Sequence, residues 1–265
     1  MALLPSQYLD SVVSIGIIGK DQLKHWVATG FVFGYRDDSY SENEYHLYIV
    51  TNKHVFNGHN TVYVRFNKKD NNDSKDYSLP LVVDGQKKYK EHPDSAIDVA
   101  AIQINPQTLV NDEIDIKFFQ IDKHVFTVEQ MRTKGVSEGD GVFVLGFPMG
   151  NIGHNEARKY VLVRSGCISR IREMLDGFTK DYIIDAIAFP GNSGGPVVYK
   201  PEIIALHGTE PINETCLIGI VKQNISYMDI AVSKQTGRDR IVFEDNTGLT
   251  VVESVDSIIE TIKQN

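Results

Sequence analysis

Short apolar runs separated by turn residues recur along the whole chain. Each run has the length of a β-strand and is rich in Val, Ile, Phe and Tyr, the residues that favour strands. Clear amphipathic helices are rare, so the pattern predicts an all-β sandwich or barrel. The runs are 11–19, 28–34, 45–51, 61–66, 79–83, 97–104, 141–147, 159–171, 181–189, 195–199, 216–222 and 228–232.

The C-terminus departs from this pattern. Val255, Ile258 and Ile262 recur at helical spacing, which predicts an amphipathic helix over residues 251–263 that packs on the sheet. Thr250 followed three residues later by Glu253 resembles a capping box at the helix N-terminus. A stretch of mixed sequence near residues 123–138 indicates a seam, which divides the chain into halves of about equal size, 1–125 and 126–265.

Composition narrows the classes of partner. The 265 residues include 27 Lys and Arg against 35 Asp and Glu, a formal net charge of −8. An acidic balance repels phosphate backbones and disfavours nucleic acid as a partner. No apolar run approaches the roughly 20 residues of a membrane-spanning helix. We therefore expect neither nucleic acid nor membrane as a partner.

The N-terminus and the cysteines bear on location. The first 18 residues carry no basic region, and Asp10 interrupts their apolar stretch, which is a poor signal peptide. Cys167 and Cys216 lie in apolar, strand-like stretches. One bridge between them is an alternative, but two buried thiols fit these stretches better. Both observations predict a cytoplasmic location.

Three segments contain candidate chemistry. His54 ends a strand-like run in YIVTNKHVF, Asp98 interrupts the apolar run AIDVAAI, and Ser193 lies in the Gly-dense turn of AFPGNSGGPVVY. Taken singly, each has an ordinary alternative: a strand-end histidine, an edge-strand aspartate facing water and a hairpin turn. A carboxylate within an apolar run is nevertheless costly unless it is paired, and a Gly-rich turn can direct successive N–H groups at an anion.

Together the three segments are much more specific. Nucleophilic serine chemistry needs a base for the hydroxyl proton, a carboxylate that orients the base, and N–H donors for the oxyanion. His54, Asp98 and Ser193 are the candidates for base, carboxylate and nucleophile.

These segments resemble the motifs of the trypsin/chymotrypsin-like serine proteases. TNKHV is similar to the histidine motif, IDVAAI to the aspartate motif and GNSGGPVV to the nucleophile motif. The blocks at 138–150, 163–171, 183–198 and 217–222 are most similar to the bacterial branch that includes Deg/HtrA-type proteases and glutamyl endopeptidases. The resemblance covers most of residues 10–262. It implies two six-stranded antiparallel β-barrels, with the site in the cleft between them and the N–H groups of Gly191 and Ser193 as oxyanion donors.

Residues that depart from the family pattern bear on activation and substrate. Position 192 is Asn, where digestive members have an Asp that pairs with a newly cut N-terminus, so the resemblance predicts no activation by propeptide removal. None of the sequence blocks that resemble the family corresponds to a PDZ domain. Ile187 occupies the base of the S1 pocket by analogy and favours a small or apolar P1 side chain.

The strand predicted to pair with substrate is Val221, Lys222, Gln223 and Asn224. The glutamyl branch has a His at the place of Val221, so acid specificity is not expected. Lys222 falls where many members have a small polar residue beside the catalytic Asp. A lysine there could point into the cleft and attract an acidic side chain.

The main hypothesis is a serine endopeptidase that acts on a protein or peptide through an acyl-enzyme, without cofactor or metal. No HExxH motif and no metal-ligand spacing of the histidines is present. The alternative is a silent or latent protease-fold module that binds a peptide or protein partner. A separate activator protein is a further candidate partner for either hypothesis.

Overall fold

Two β-sheets that pack against each other make up most of the structure. The structure is a computed structural model and describes residues 3–36, 44–69, 73–150 and 158–264. The strands are β1 Val12–Ile18, β2 Lys24–Tyr35, β3 His46–Thr51, β4 Thr61–Asn67, β5 Ser74–Pro80, β6 Val82–Val83, β7 Gln86–Lys87, β8 Lys90–Glu91, β9 Ala100–Ile104, β10 Phe119–Gln120, β11 Gly141–Gly146, β12 Leu162–Arg170, β13 Asp181–Asp185, β14 Pro196–Tyr199, β15 Leu217–Val232 and β16 Asp239–Ser254. The helices are α1 Ser6–Asp10, α2 Lys53–Phe56, α3 Pro106–Asn111, α4 Val128–Lys134, α5 Arg172–Leu175 and α6 Val255–Lys263, with a 3₁₀ turn at Pro148–Gly150.

The second sheet closes on itself. Its strands follow the order β11-β12-β13-β16-β15-β14 and form a six-stranded barrel with antiparallel neighbours. The interior contains the alternating apolar side chains of these strands, as a half-buried strand pattern requires. The expected all-β, chymotrypsin-like fold class is confirmed, including this barrel and a C-terminal helix.

The first sheet differs from the closed six-stranded barrel that the resemblance implied. Among the described residues it has eight strands in the order β5-β4-β1-β2-β3-β9-β8, with β10 added in parallel to β2. It stays open because its edge strands β5 and β8 do not pair with each other in the described part of the chain, and β8 contributes only Lys90 and Glu91. Beyond β5, the chain instead forms the separate β6–β7 ribbon.

The C-terminal helix begins later than the sequence predicts. Residues 251–254 belong to β16, because Val251 and Val252 pair with β13 on one side and with β15 on the other. The capping box of Thr250 and Glu253 is therefore wrong, and Ser254 precedes the first helical residue without a side-chain capping bond. β-branched residues with a strand available on each side favour the sheet.

One apolar cluster joins the two sheets. Phe31 and Phe33 of β2 pack in the same cluster as Leu145 of β11 and Leu217 of β15, and all four are buried. Helix α6 covers this cluster with Ile258 and other apolar side chains. The contact between the sheets is thus part of the core, which holds strands of both sheets together.

Among the described residues, no helix has the length and apolar character that crossing a membrane requires.

Candidate active site

His54 and Asp98 lie at the same end of the first sheet. β3 and β9 pair antiparallel, with Thr51 opposite Ala100, so the residues that follow β3 and those that precede β9 are neighbours. His54 lies in α2, directly after β3. Its Nδ1 is 2.6 Å from Asp98 Oδ2, and its backbone N–H donates to Asp98 Oδ1 at 3.0 Å. The predicted histidine and aspartate are therefore brought together.

The lowered pKa of Asp98 indicates which of the two residues donates the proton in this hydrogen bond. Burial raises the pKa of Asp98, but the hydrogen bonds and charge of His54 outweigh burial, so the pKa lies below its ordinary value. An ionised carboxylate only accepts hydrogen bonds. Nδ1 of His54 is then the donor, which leaves Nε2 as the basic nitrogen.

Asn52 is a further residue of this corner that the motif comparison did not single out. Its side chain is buried, and its Nδ2 donates to the backbone carbonyl of Asp98 at 2.7 Å. Asp98 is thus held at both ends: His54 binds the two oxygens of its carboxylate, and Asn52 binds its backbone carbonyl. The bond links two segments 46 residues apart in sequence, so no local pattern marks it.

The turn that contains Ser193 is pinned to the first sheet by Thr29 of β2. The Thr29 N–H donates to the carbonyl of Ser193 at 3.0 Å, and its hydroxyl donates to the carbonyl of Gly191 at 2.6 Å. The same hydroxyl accepts from the N–H of Phe147, while Thr51 donates to the Thr29 carbonyl. Buried Thr29 therefore fixes the turn relative to the end of β3, beyond which His54 lies.

Two N–H groups of the turn remain available. Asn192, Gly194 and Gly195 each donate their N–H to a backbone carbonyl. Those of Gly191 and Ser193 have no hydrogen-bond acceptor in the described part of the chain. Gly191 adopts a φ of 101°, a conformation that L-residues with side chains avoid. A pair of unpaired N–H groups flanking a serine is suited to an oxyanion.

The structure does not join Ser193 directly to His54. Within the described residues, no hydrogen bond links the Ser193 hydroxyl with the imidazole. Such bonds are often long without substrate. The turn of Ser193 instead approaches the first sheet most closely at Gly194. A Cβ added there would lie 2.2 Å from the Thr29 carbonyl oxygen and 2.3 Å from Thr51 Oγ1, so the two backbones are in contact.

An ion pair between the buried Glu253 and the partly exposed Lys222 lies next to the backbone of Asp98. Glu253 of β16 is 1% exposed, and its Oε1 accepts the backbone N–H of Asp98 at 3.1 Å. Lys222 of β15 places its Nζ 2.9 Å from the same Glu253 oxygen and 3.3 Å from Asp181 Oδ2. It also donates to the carbonyl of Ala96 at 3.2 Å. The barrel therefore grips the segment that contains Asp98 at two points.

Each member of this pair favours the charged form of the other. Burial raises the pKa of Glu253 above its ordinary value, although Lys222 and the Asp98 N–H oppose the shift. Burial lowers the pKa of Lys222, but Glu253 and Asp181 raise it more, so its net pKa is elevated. Lys222 is thus a cation engaged with two carboxylates.

The predicted substrate residues lie beside the turn that contains Ser193. Val221 is buried and exchanges backbone hydrogen bonds with Gly194 and Gly195. Gln223 and Asn224 follow it as exposed residues of β15. Their contact with a substrate stays a prediction.

Ile187 is 44% exposed and lies on the chain segment that enters the turn. It packs near Gly248, where an added Cβ would lie 3.7 Å from Ile187. Its place at the base of a specificity pocket also stays a prediction.

Known proteins resemble the chain in sequence pattern and in fold. The family described as "Trypsin-like peptidase domain" matches residues 28–202. No curated protein matches the chain. The MamO protease domain from Magnetospirillum magneticum, in its apo form, superposes with a TM-score of 0.51 and 16% identity over 98% of each chain. Rv3671c from M. tuberculosis H37Rv, in an inactive serine-to-alanine form, has a TM-score of 0.45 and 17% identity over 97% of this chain and 88% of that chain.

Proposed function

The chain belongs to the trypsin-like peptidase domain family, and from this premise we propose that it is a serine endopeptidase with Ser193, His54 and Asp98 as its triad. The observation that carries the proposal is the 2.6 Å hydrogen bond between His54 Nδ1 and Asp98. That bond supplies an oriented base, the part of the machinery that serine chemistry lacks on its own.

In the proposed reaction, Nε2 of His54 removes the hydroxyl proton of Ser193 as the oxygen attacks the scissile carbonyl. Asp98 holds the tautomer and stabilises the imidazolium that forms. The proton then passes from His54 to the leaving amine, and the acyl-enzyme forms on Ser193. A water molecule, deprotonated by His54, hydrolyses the ester and restores the free serine.

The oxyanion of each tetrahedral intermediate would be held by the N–H groups of Gly191 and Ser193. The support for this role is that both groups lack a protein acceptor in the described residues while their neighbours in the turn are engaged. Removing one such donor typically costs 10²–10³-fold in rate.

The substrate assignment is part of the proposal. A protein or peptide would pair with Val221, Lys222, Gln223 and Asn224, and its P1 side chain would meet Ile187, which favours small or apolar residues. Because Lys222 is engaged by Glu253 and Asp181, recruitment of an acidic side chain by its ammonium has little support. We also propose that the protein belongs to the bacterial branch that includes Deg/HtrA-type proteases and glutamyl endopeptidases.

We further propose that propeptide cleavage does not activate the protein. Asn192 is buried and neutral, and its Nδ2 has no hydrogen-bond partner within the described residues. An incoming N-terminal ammonium would find no carboxylate there. A separate activator protein is then the candidate regulator. Both cysteines are free thiols, but only Cys216 is buried as expected, whereas Cys167 is partly exposed. Free thiols are compatible with the predicted cytoplasmic location.

The test is labelling of the intact protein by a fluorophosphonate, which reacts with activated serines, together with cleavage of a peptide library. Wild-type protein should be labelled stoichiometrically at Ser193, and turnover should fall by about 10⁶-fold in Ser193→Ala. Ser137→Ala, which changes an exposed serine between α4 and β11, is the matched control and should behave as wild type.

The alternative function is the latent or silent module, which is favoured by the absence, among the described residues, of a hydrogen bond between the Ser193 hydroxyl and His54. A latent protease would be labelled only once a peptide or protein partner is added. A silent module would remain unlabelled under all conditions, and residual turnover in Ser193→Ala would refute the proposed nucleophile.

A further inference from the structure

A two-stranded arm extends from the barrel. β15 and β16 are each 16 residues long, and their pairing continues from Ser226 opposite Asn246 to Val232 opposite Asp239. Their other neighbours end earlier: β14 pairs with β15 only as far as Ile220, and β13 begins to pair with β16 at Leu249. Residues 226–246, here called the arm, thus have no strand partner on either outer edge among the described residues.

The arm is apolar on both faces. Residues directly opposite each other in an antiparallel pair share a face, and alternate residues of a strand change face. Tyr227, Ile241 and Phe243 therefore lie on one face, and Met228, Ile230, Val232 and Val242 lie on the other. Each of these seven side chains is between 47% and 67% exposed.

Such a ribbon is not expected to remain uncovered. An isolated two-stranded hairpin is marginally stable in water. Contiguous exposed apolar surface and unpaired strand edges mark interaction sites. Methionine and aromatic side chains, which the arm presents at Met228, Tyr227 and Phe243, are enriched in protein interfaces.

The arm also separates its charges by sign along its length. From its base to its middle the exposed charged side chains are acidic, whereas its tip has three basic side chains and one acidic side chain, Asp239. Within the part of the chain that the structure describes, none of these side chains forms an ion pair. The carboxylates of the basal half are Asp245, Glu244 and, at the middle of the arm, Asp229, and the cations of the tip are Lys234, Arg238 and Arg240.

We propose that the arm binds the arm of a second copy of this chain, with the two arms antiparallel. A two-fold axis brings the same surface of each copy together, so the cations at each tip meet the carboxylates at the other base. The apolar side chains on the face that each arm turns to the other are covered at the same time. A surface with one sign of charge would repel its own copy, whereas this arrangement of two signs is complementary to itself.

The dimer would bear on the candidate cleft. The base of the arm is tied to the segment that leads into the turn that contains Ser193, because Asn246 Nδ2 donates to the carbonyl of Ala188 at 2.6 Å. The tip of each partner would therefore lie close to the segment that leads into the other copy's Ser193 turn. The proposal itself concerns association alone and does not require catalytic activity.

The test is a charge exchange followed by size-exclusion chromatography with light scattering on the full chain. The tip variant carries Lys234→Glu, Arg238→Glu and Arg240→Glu, and the base variant carries Asp229→Lys, Glu244→Lys and Asp245→Lys. We expect wild type to have twice the monomer mass and each variant alone to be monomeric. An equimolar mixture of the two should recover the dimer, because both tip-to-base contacts then join opposite charges.

The control variant carries Lys20→Glu, Lys88→Glu and Lys123→Glu, which alters the net charge as the tip variant does but at exposed sites outside the arm. It should remain dimeric. A monomeric wild type, variants that stay dimeric, or a mixture that stays monomeric would each overturn the proposal. If the arm instead holds an extended polypeptide substrate, wild type would be monomeric and the variants would change only KM.

Discussion

Glu253 illustrates how much depends on one buried carboxylate. It is almost fully buried, it accepts the N–H of Asp98, and its charge is matched by Lys222. Removing one partner of a buried pair leaves an uncompensated charge and typically costs 3–5 kcal/mol. Replacing both partners by uncharged side chains of similar shape often leaves the stability nearly unchanged. The Glu253–Lys222 pair is therefore expected to act as one unit.

Lys222→Met should destabilise the protein by about 3–5 kcal/mol near neutral pH. Without the lysine, burial raises the pKa of Glu253 further, so the folded state retains a proton that the unfolded state releases. Stability then falls as the pH rises from the unfolded-state pKa of Glu253 to its folded-state pKa. Urea denaturation at a series of pH values measures this slope, and proteolytic turnover should fall because Asp98 loses a fixed support.

The matched control is the double variant Lys222→Met with Glu253→Gln. A glutamine still accepts the Asp98 N–H but carries no charge, so most of the stability should return and the added pH dependence should vanish. A single variant as stable as wild type at all pH values would show that Lys222 does not neutralise a buried charge.

Glu253 could have been found by the reasoning that singled out Asp98. Both are carboxylates within apolar runs, where an unpaired charge is costly. The helical spacing that follows Glu253 assigned it to a capping box instead. Asn52 and Thr29 offered no such signal, since each acts through a main-chain partner more than 40 residues away.

At the scale of elements, the strands were more predictable than their ends. The apolar runs located most of the barrel strands because burial on one face imposes a period of two. The start of α6 was missed by four residues, since β13 and β15 both pair with Val251 and Val252. The length of the arm could not be predicted either, because its outer half is not buried and has no pattern imposed by a core.

The turn that contains Ser193 depends on the close approach of Gly194 to the first sheet. Gly194→Ala adds a Cβ that would lie 2.2 Å from the Thr29 carbonyl oxygen, at a φ of 81°. The backbone must shift and carry Ser193 away from its position relative to His54. We expect a loss of at least 2 kcal/mol in stability and a fall in turnover of 10²-fold or more.

Gly208→Ala separates the two causes. Gly208 has a similar φ of 93°, but a Cβ there meets nothing within 4 Å. That variant should lose about 1–2 kcal/mol from the backbone conformation alone and retain full turnover. Equal effects of the two substitutions on turnover, measured by peptide cleavage and thermal unfolding, would refute the role assigned to close approach.

At the scale of the whole molecule, the sequence predicted two β units but not how they share a core. The division at residue 125 follows from strand runs on either side of mixed sequence. The structure joins the two sides directly: Leu217 exchanges backbone hydrogen bonds with His124 and Phe126, and the Tyr8 hydroxyl donates to the carbonyl of Thr215. These contacts link residues far apart in sequence, which a local pattern does not reveal.

The shared core leads to a prediction about unfolding. Phe31 and Phe33 of the first sheet pack in one buried cluster with Leu217 of the barrel, so opening either sheet exposes the apolar surface of the other. A single transition is expected when the halves depend on each other in this way. Two probes can report on the two sheets separately: the only tryptophan, Trp26, lies in β2, and Cys216 is buried in the barrel cluster.

In a Cys167→Ser background, tryptophan fluorescence and the reactivity of Cys216 toward a thiol reagent should change at the same urea concentration. Burial raises the pKa of Cys216 to about 12, which, together with its lack of exposure, keeps the thiol unreactive until the barrel opens. The separate fragments 1–125 and 126–265 should each fail to fold, because each would expose its side of the common cluster. Two distinct transitions, or a folded fragment, would show that the sheets are independent domains.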